Sequence, residues 1–268
     1  MHVDAIPIWA VFAGTIVVVL VAIEAGYRLG LAVHRRSDEE KESPVSAIAG
    51  AILGLAAFML AFTFGLVAER YDARRALVRE DAVALRTAWQ RSDFLPDTDR
   101  AEAKTLLRQY VDLRVTFAEE GRLDPERVKS VLSETQRIQD RLWTMAVANA
   151  RQDMNSDVAA LYIDSLNEVN GIHASRVAVG IQARVPGEIW LVLYSITILG
   201  MMGVGYQTGI AGSKRSLARP ILALSFALVL ALIASLDRPD SGIIKVTQQP
   251  LIDLRDSMAA AAGRASPE

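Results

Sequence analysis

The stretch VSAIAGAILGLAAFMLAFTFGLV, residues 45–67, contains no charged residue and is long enough to cross a membrane as one helix. Small side chains recur in it every three or four positions, which places them on one side of that helix. In lipid, such a side lets a second helix backbone approach closely, because packing and not hydrophobicity drives helix association there. The partner helix could belong to the same subunit or to a neighbouring one. The residues of this small face are Gly50, Gly54, Ala57, Ala61 and Gly65.

Three further apolar blocks predict additional membrane helices. They cover about residues 6–33, 189–206 and 220–236. The last block is near the lower limit of about 17 residues for a transmembrane helix, and the other two are closer to the usual length of about 20 residues or exceed it. The chain therefore has four predicted spans.

The residues between the second and third spans have a different composition. Basic and acidic side chains nearly balance there, and apolar residues recur at helical spacing, which is typical of water-exposed helices that share a core. Turn residues at 95–97 and 121–125 divide the segment. We expect helices over about 69–92, 98–120, 125–150 and 155–184, the first of them continuous with the second span.

These features predict an all-α integral membrane protein with four transmembrane helices and a helical soluble domain inserted between spans 2 and 3. The tail after the fourth span is polar, and its last stretch, from Met258, is rich in small residues and is expected to be disordered. The predicted divisions are 1–67 for spans 1 and 2, 68–186 for the soluble domain, 187–236 for spans 3 and 4, and 237–268 for the tail.

Composition excludes several classes of function. The net charge of −2 provides no basic surface for nucleic acid. The chain has no cysteine, and its three histidines are widely separated in the sequence, so neither thiol chemistry nor a zinc site is expected. No nucleophile–base set, phosphate-binding loop or cofactor motif is recognisable. We expect neither an enzyme nor a bound metal or cofactor.

Motifs beside the spans resemble those of one family. Phe62-Thr63-Phe64 is followed by Glu69-Arg70-Tyr71-Asp72-Ala73-Arg74-Arg75 and by Leu95-Pro96. Leu166-Asn167-Glu168 precedes the third span, and Leu236-Asp237-Arg238-Pro239 follows the fourth. In this order the motifs resemble the bacterial bestrophin-like membrane family, over about residues 1–256. That family is distantly similar to the bestrophins, which are pentameric anion channels with the same order of spans, helical domain and tail.

The resemblance implies that the second span lines a pore. In bestrophins, bulky apolar side chains of this span form the narrow neck, and the matching positions here are Phe58 and Phe62. An apolar ring of this kind gates by excluding water. The alternative is that both side chains face lipid or another helix. The chain lacks the acidic cluster that binds calcium in animal bestrophins, so calcium gating is not expected.

Charged and polar residues near the spans have alternative interpretations. Arg70, Arg74 and Arg75 either form a positive pore mouth that attracts anions or pair with neighbouring acids and lipid phosphates. The tail element, Asp237-Arg238-Pro239, is expected to end the fourth span at the level of the lipid headgroups. One further set shares helical spacing and forms either a polar cluster on the helical domain or, as is more usual for polar residues on a helix, a solvated face: Asn167, Glu168, His173 and Arg176.

The sequence therefore favours an oligomeric ion channel, expected to be a pentamer in a bacterial inner membrane, that conducts anions such as chloride and contacts lipid. The alternative is a membrane-anchored scaffold or sensor whose helical domain binds a protein or ligand. The side of the membrane that holds this domain is left open. The bestrophin resemblance places it in the cytosol, whereas the positive-inside rule places it outside because the short loops are basic. The loop residues concerned are Arg35, Arg36, Lys41, Lys214, Arg215 and Arg219.

Overall fold

The computed structural model describes residues 6–35, 42–120, 124–212, 218–238 and 244–265. The described residues form eight α-helices, one 3-10 turn at Ser92–Phe94 and one π-helical segment at Ala178–Gln182. Several residues used in the predictions lie outside these ranges: Arg36, Lys41, Gly121, Lys214, Arg215 and Pro239.

The predicted all-α fold with four membrane spans is confirmed. Four helices are long and apolar enough to cross a membrane, namely α1, α2, α6 and α7. The bounds of the eight helices are α1 Ile8–His34, α2 Glu42–Arg91, α3 Asp97–Glu120, α4 Pro125–Ala150, α5 Asp157–Val177, α6 Gly187–Ile210, α7 Ala218–Asp237 and α8 Gln249–Ala265. Helix α2 is continuous from the second span into the following charged segment, as predicted.

Two predicted segments differ from the structure. The helix expected over 155–184 ends as α5 at Val177, and a π-helical segment and a short extended stretch, 183–186, separate it from α6. Pro186 favours the extended conformation of Val185 in this stretch, since a proline disfavours the helical conformation of the residue before it. The disorder expected from Met258 is also wrong up to Ala265, because Leu251, Leu254 and Met258 lie on one buried side of α8.

The chain divides into two compact units. The first, here called the membrane unit, comprises Met1–Arg70 and Arg184–Ile244. The second, here called the helical unit, comprises Tyr71–Ala183 and Lys245–Glu268. Its core contains fully buried side chains such as Leu85, Leu107 and Tyr162, together with the buried side of α8.

Helices α1 and α6 of the membrane unit approach each other through four glycines. Gly26 and Gly30 of α1 lie against backbone atoms of Met202 and Tyr206, and Gly205 and Gly209 of α6 lie against backbone atoms of α1. Each pair has a spacing of four residues, which places both glycines on one side of their helix. A Cβ atom at any of the four would overlap a backbone carbonyl oxygen of the other helix. This contact is a small-residue packing interface that the sequence analysis did not single out.

We expect Gly26→Ala to destabilise the membrane unit by at least about 3 kcal/mol, because its new methyl group has no flexible neighbour to displace. The thermal unfolding of the purified protein in detergent measures this effect. Gly14→Ala is the matched control on the same helix, since a Cβ atom there has nothing within 4 Å. Equal melting temperatures for the two variants would contradict the close packing of α1 on α6.

Candidate functional site

The membrane part of α2 has one buried side. Its buried residues recur every three or four positions, so they form a stripe along the helix. The stripe faces α6, because Ala49 and Leu53 occupy the space beside Gly203 and Gly200. The buried members are Ala49, Ala56, Leu60, Thr63 and Val67.

The small face of α2 lies outside this stripe. A Cβ atom at Gly50, Gly54 or Gly65 would have no described atom within 4 Å, and Ala57 and Ala61 are exposed. Within the described part of one chain, the small face is therefore not the surface on which α2 packs.

The two aromatic residues predicted for the pore neck are beside the small face. Phe58 is 66% exposed and Phe62 is 59% exposed. They follow Ala57 and Ala61 in sequence, so they lie about 100° further around the helix from the small face. The exposed surface of α2 thus consists of a small facet and an adjacent aromatic facet.

Asp237, at the end of α7, connects three segments of the membrane unit. Its Oδ1 accepts a hydrogen bond of 3.0 Å from the backbone N–H of Val185, just before α6. The same oxygen is 3.7 Å from Nη1 of Arg70. The neighbouring Arg238 donates a hydrogen bond to the carbonyl oxygen of Ile6. Asp237 and Arg238 are both buried within the protein, and their placement at the level of the lipid headgroups stays a prediction.

The three arginines that follow the second span have different environments. Arg70 belongs to the membrane unit and is paired with Asp237. Arg74 is buried. Arg75 is exposed, and its guanidinium lies 5.9 Å from the centre of the Tyr71 ring. Of the three, Arg75 is the one that presents its charge to solvent.

The order of the elements agrees with comparison with known proteins. The family model of the bestrophin-like domain matches residues 10–251. The chain belongs to the bestrophin-like family. The family resemblance read from the motifs is thereby confirmed.

Solved structures of a bacterial bestrophin homolog from Klebsiella pneumoniae have the same fold as this bestrophin-like protein. One variant of that homolog is 17% identical in sequence to this chain, with a TM-score of 0.60, and the match covers 92% of this chain and 99% of the homolog. A second variant is also 17% identical, with a TM-score of 0.62 over 94% and 98% of the two chains. No curated protein has a significant sequence match to the chain.

The helical unit of the bestrophin-like protein contains a buried polar network. Nη1 of Arg176 on α5 donates a hydrogen bond of 2.6 Å to Oδ2 of Asp81 on α2. Nη2 of Arg114 on α3 donates to the Tyr110 hydroxyl at 3.0 Å and also contacts Nδ1 of His173. Both guanidinium groups are within electrostatic reach of the Asp81 carboxylate. His173 and Arg176 both belong to this network, so for these two residues the polar-cluster interpretation holds and the solvated-face interpretation does not.

The network keeps His173 neutral at physiological pH. Burial, together with the positive charges of Arg114 and Arg176, lowers the pKa of His173 to about 4. Since Nδ1 accepts a hydrogen bond from Arg114, the single proton of the neutral ring is on Nε2. His173 therefore presents an N–H donor from its second ring nitrogen.

Some site residues have a local signal in the sequence and others do not. The four glycines between α1 and α6 could have been found, because their pairs occur as the GYRLG and GYQTG segments at 26–30 and 205–209. The pairing of Asp81 with Arg176 had no local signal, since 95 positions separate the two residues. The Arg70–Asp237 pair likewise joins distant segments.

We expect Asp237→Ala to expose the backbone between the π-helical segment and α6. The variant removes a charged acceptor from a buried N–H group, at a cost of about 2–4 kcal/mol. Hydrogen–deuterium exchange of the peptide that contains Val185 measures the loss, and Asp237→Asn, which keeps an acceptor oxygen, should retain most of the protection. Asp256→Ala, at an exposed position of α8, is the control. Unchanged protection of Val185 in Asp237→Ala would contradict the hydrogen bond from the Val185 N–H group to Asp237.

We expect the protein to lose stability as the pH falls from about 6.5 towards 4, in part through His173. Over this range the unfolded chain binds a proton at His173 that the folded chain does not, because the folded pKa is about 4. Solvent screening at this half-buried site limits the contribution to about 1–2 kcal/mol.

His173→Gln removes this proton uptake and keeps an acceptor for Arg114. The melting temperature of His173→Gln should therefore fall less between pH 6.5 and 4.5 than that of the unmodified protein. The exposed His34→Gln change is the control and should leave the pH dependence unaltered. Parallel curves for all three proteins would contradict the neutral His173.

Proposed function

We propose that this bestrophin-like protein is an oligomeric ion channel that conducts anions through a pore lined by α2. The observation that carries the proposal is the exposed surface of α2, where an aromatic facet lies beside a small facet. The bestrophin resemblance adds the expectation of five copies and of anion conduction. Helical spans, as opposed to a β-barrel, fit the cytoplasmic membrane of a bacterium.

The small facet favours contact with another copy of the chain over contact with lipid. Gly50, Gly54 and Gly65 offer lipid little side-chain surface, but they let a neighbouring helix come close enough for extensive van der Waals contact. The α1–α6 contact within the chain uses glycines in this way. About 100° from the small facet, on the side away from the aromatic facet, α2 is already packed on α6.

In a ring of copies, a helix whose small facet contacts a neighbour turns the adjacent facet inward. Phe58 and Phe62 are one helical turn apart, so both would project towards the ring axis. Two stacked aromatic rings from each copy would form an apolar neck that conducts when it widens and wets. Arg75 would supply positive charge that attracts anions, while Asp237 balances much of the charge of Arg70.

Reconstitution of the purified protein in planar bilayers tests conduction. We expect currents whose reversal potential follows the chloride gradient when gluconate replaces chloride on one side. Silence over a range of voltage, pH and anions would contradict the proposal. Particle images in a membrane should show a ring with an axial opening. A monomer, or a dimer with a closed two-fold interface, would favour a membrane-anchored scaffold or sensor.

We expect Phe62→Ala to widen the neck and raise the single-channel conductance by about twofold or more, because it removes a bulky ring from the narrowest point. The matched control is Phe64→Ala. Phe64 is also an exposed aromatic residue of α2, but it lies about 200° around the helix from Phe62. Equal conductance changes in the two variants, or none in an intact Phe62→Ala oligomer, would remove Phe62 from the neck.

A further inference from the structure

A groove of about 390 Å³ lies between α4 and α5 of the helical unit. Its walls are the facing sides of the two helices, and they carry polar groups where a packing interface would carry aliphatic ones. The lining residues on α4 are Gln136, Gln139, Asp140 and Trp143, and those on α5 are Asn167, Asn170, His173 and Ala174.

The inner part of the groove is rich in hydrogen-bond donors. Gln139 is only 6% exposed, yet its Nε2 has no hydrogen-bond partner among the described residues. A buried amide nitrogen without an acceptor costs free energy unless a ligand or water supplies one. His173 presents its Nε2–H donor, because Arg114 contacts Nδ1. Arg114 and Arg176 act on His173 with two positive charges, against the single negative charge of Asp81. The net potential at this part of the groove is therefore positive.

The outer part of the groove has the opposite character. The carboxylate of Asp140 is exposed, and its Oδ1 accepts a hydrogen bond of 2.8 Å from Nε2 of Gln136. One turn further along α4, the Trp143 indole is also partly exposed, at 37%. Carboxylates and indole faces both attract an ammonium ion. The groove therefore offers one end to a negative group and the other to a positive group.

We propose that this groove binds a small zwitterion, an α-amino acid, with its carboxylate at Gln139 and His173 and its ammonium group at Asp140 and Trp143. Gln139 and Asp140 are consecutive residues of α4 that both line the groove, so their positions differ by about 1.5 Å along the helix axis. This short span favours a compact ligand such as an α-amino acid over a long ω-amino acid. The groove volume leaves room for a side chain. The inference does not depend on whether the protein conducts ions.

Isothermal titration calorimetry on the full-length protein in detergent tests the proposal with a panel of L-α-amino acids. Sodium acetate and methylammonium chloride each offer half of the zwitterion, and 6-aminohexanoate offers both charges at a larger separation. We expect at least one α-amino acid to bind, and the three comparison solutes to bind at least about tenfold more weakly because each satisfies one end only. An absence of binding by the whole panel, or equal binding of acetate, overturns the proposal.

Variants then place the ligand in the groove. Gln139→Met keeps the length of the side chain and removes the unpartnered donor, so it should fold normally and weaken binding by about tenfold or more. Asp140→Asn, at an exposed position, should weaken binding at the ammonium end without affecting folding. Gln109→Met on the exposed side of α3 is the matched control and should bind normally. Normal affinity in both Gln139→Met and Asp140→Asn overturns the assignment of the site.

Discussion

The backbone contact between α1 and α6 is the constraint on which the membrane unit depends. In hydrocarbon, two helices gain little from hydrophobicity, so they must come close enough for their atoms to pack. The four glycines allow this approach, and each would block it if it carried a Cβ atom. Glycine lowers helix propensity in water, but lipid requires the helical backbone because it cannot hydrogen-bond exposed peptide groups. The chain can therefore use glycine in these spans at little cost.

Beside this pair, the membrane part of α2 has one side packed on α6 among the described residues of the chain. Its buried stripe, which includes Ala56 and Thr63, lies on that side. The other side carries glycines with no described neighbour and two exposed phenylalanines. A helix that exposes only Phe and Leu would fit lipid well. Glycines do not fit lipid in the same way, because they offer lipid little side-chain surface for van der Waals contact. They gain such contact when another helix packs closely against them. This difference is the physical basis for the proposal that α2 lies at a subunit interface.

The sequence predicted elements whose signals are local and failed where distant residues meet. Pro125 marks the start of α4 and the uncharged run 45–67 marks a span, so both could be read directly. The end of α5 was predicted too late, since the extended stretch 183–186 is held by Asp237 from another helix. The exposure of Phe58 could not be predicted either, because helical periodicity gives the relative directions of side chains but not which direction faces the protein.

The buried polar groups of the helical unit bear on function because they cost stability. Replacing a buried ion pair with apolar residues is often neutral or stabilising, so Asp81 and Arg176 are not the simplest way to hold this core together. Asp81 Oδ1 and Gln139 Nε2 also lack partners among the described residues. A core selected only for stability would have replaced such groups. Gln139 and His173 line the groove, and Arg114 contacts His173 from within the buried network, which is the physical basis for the ligand site proposed there.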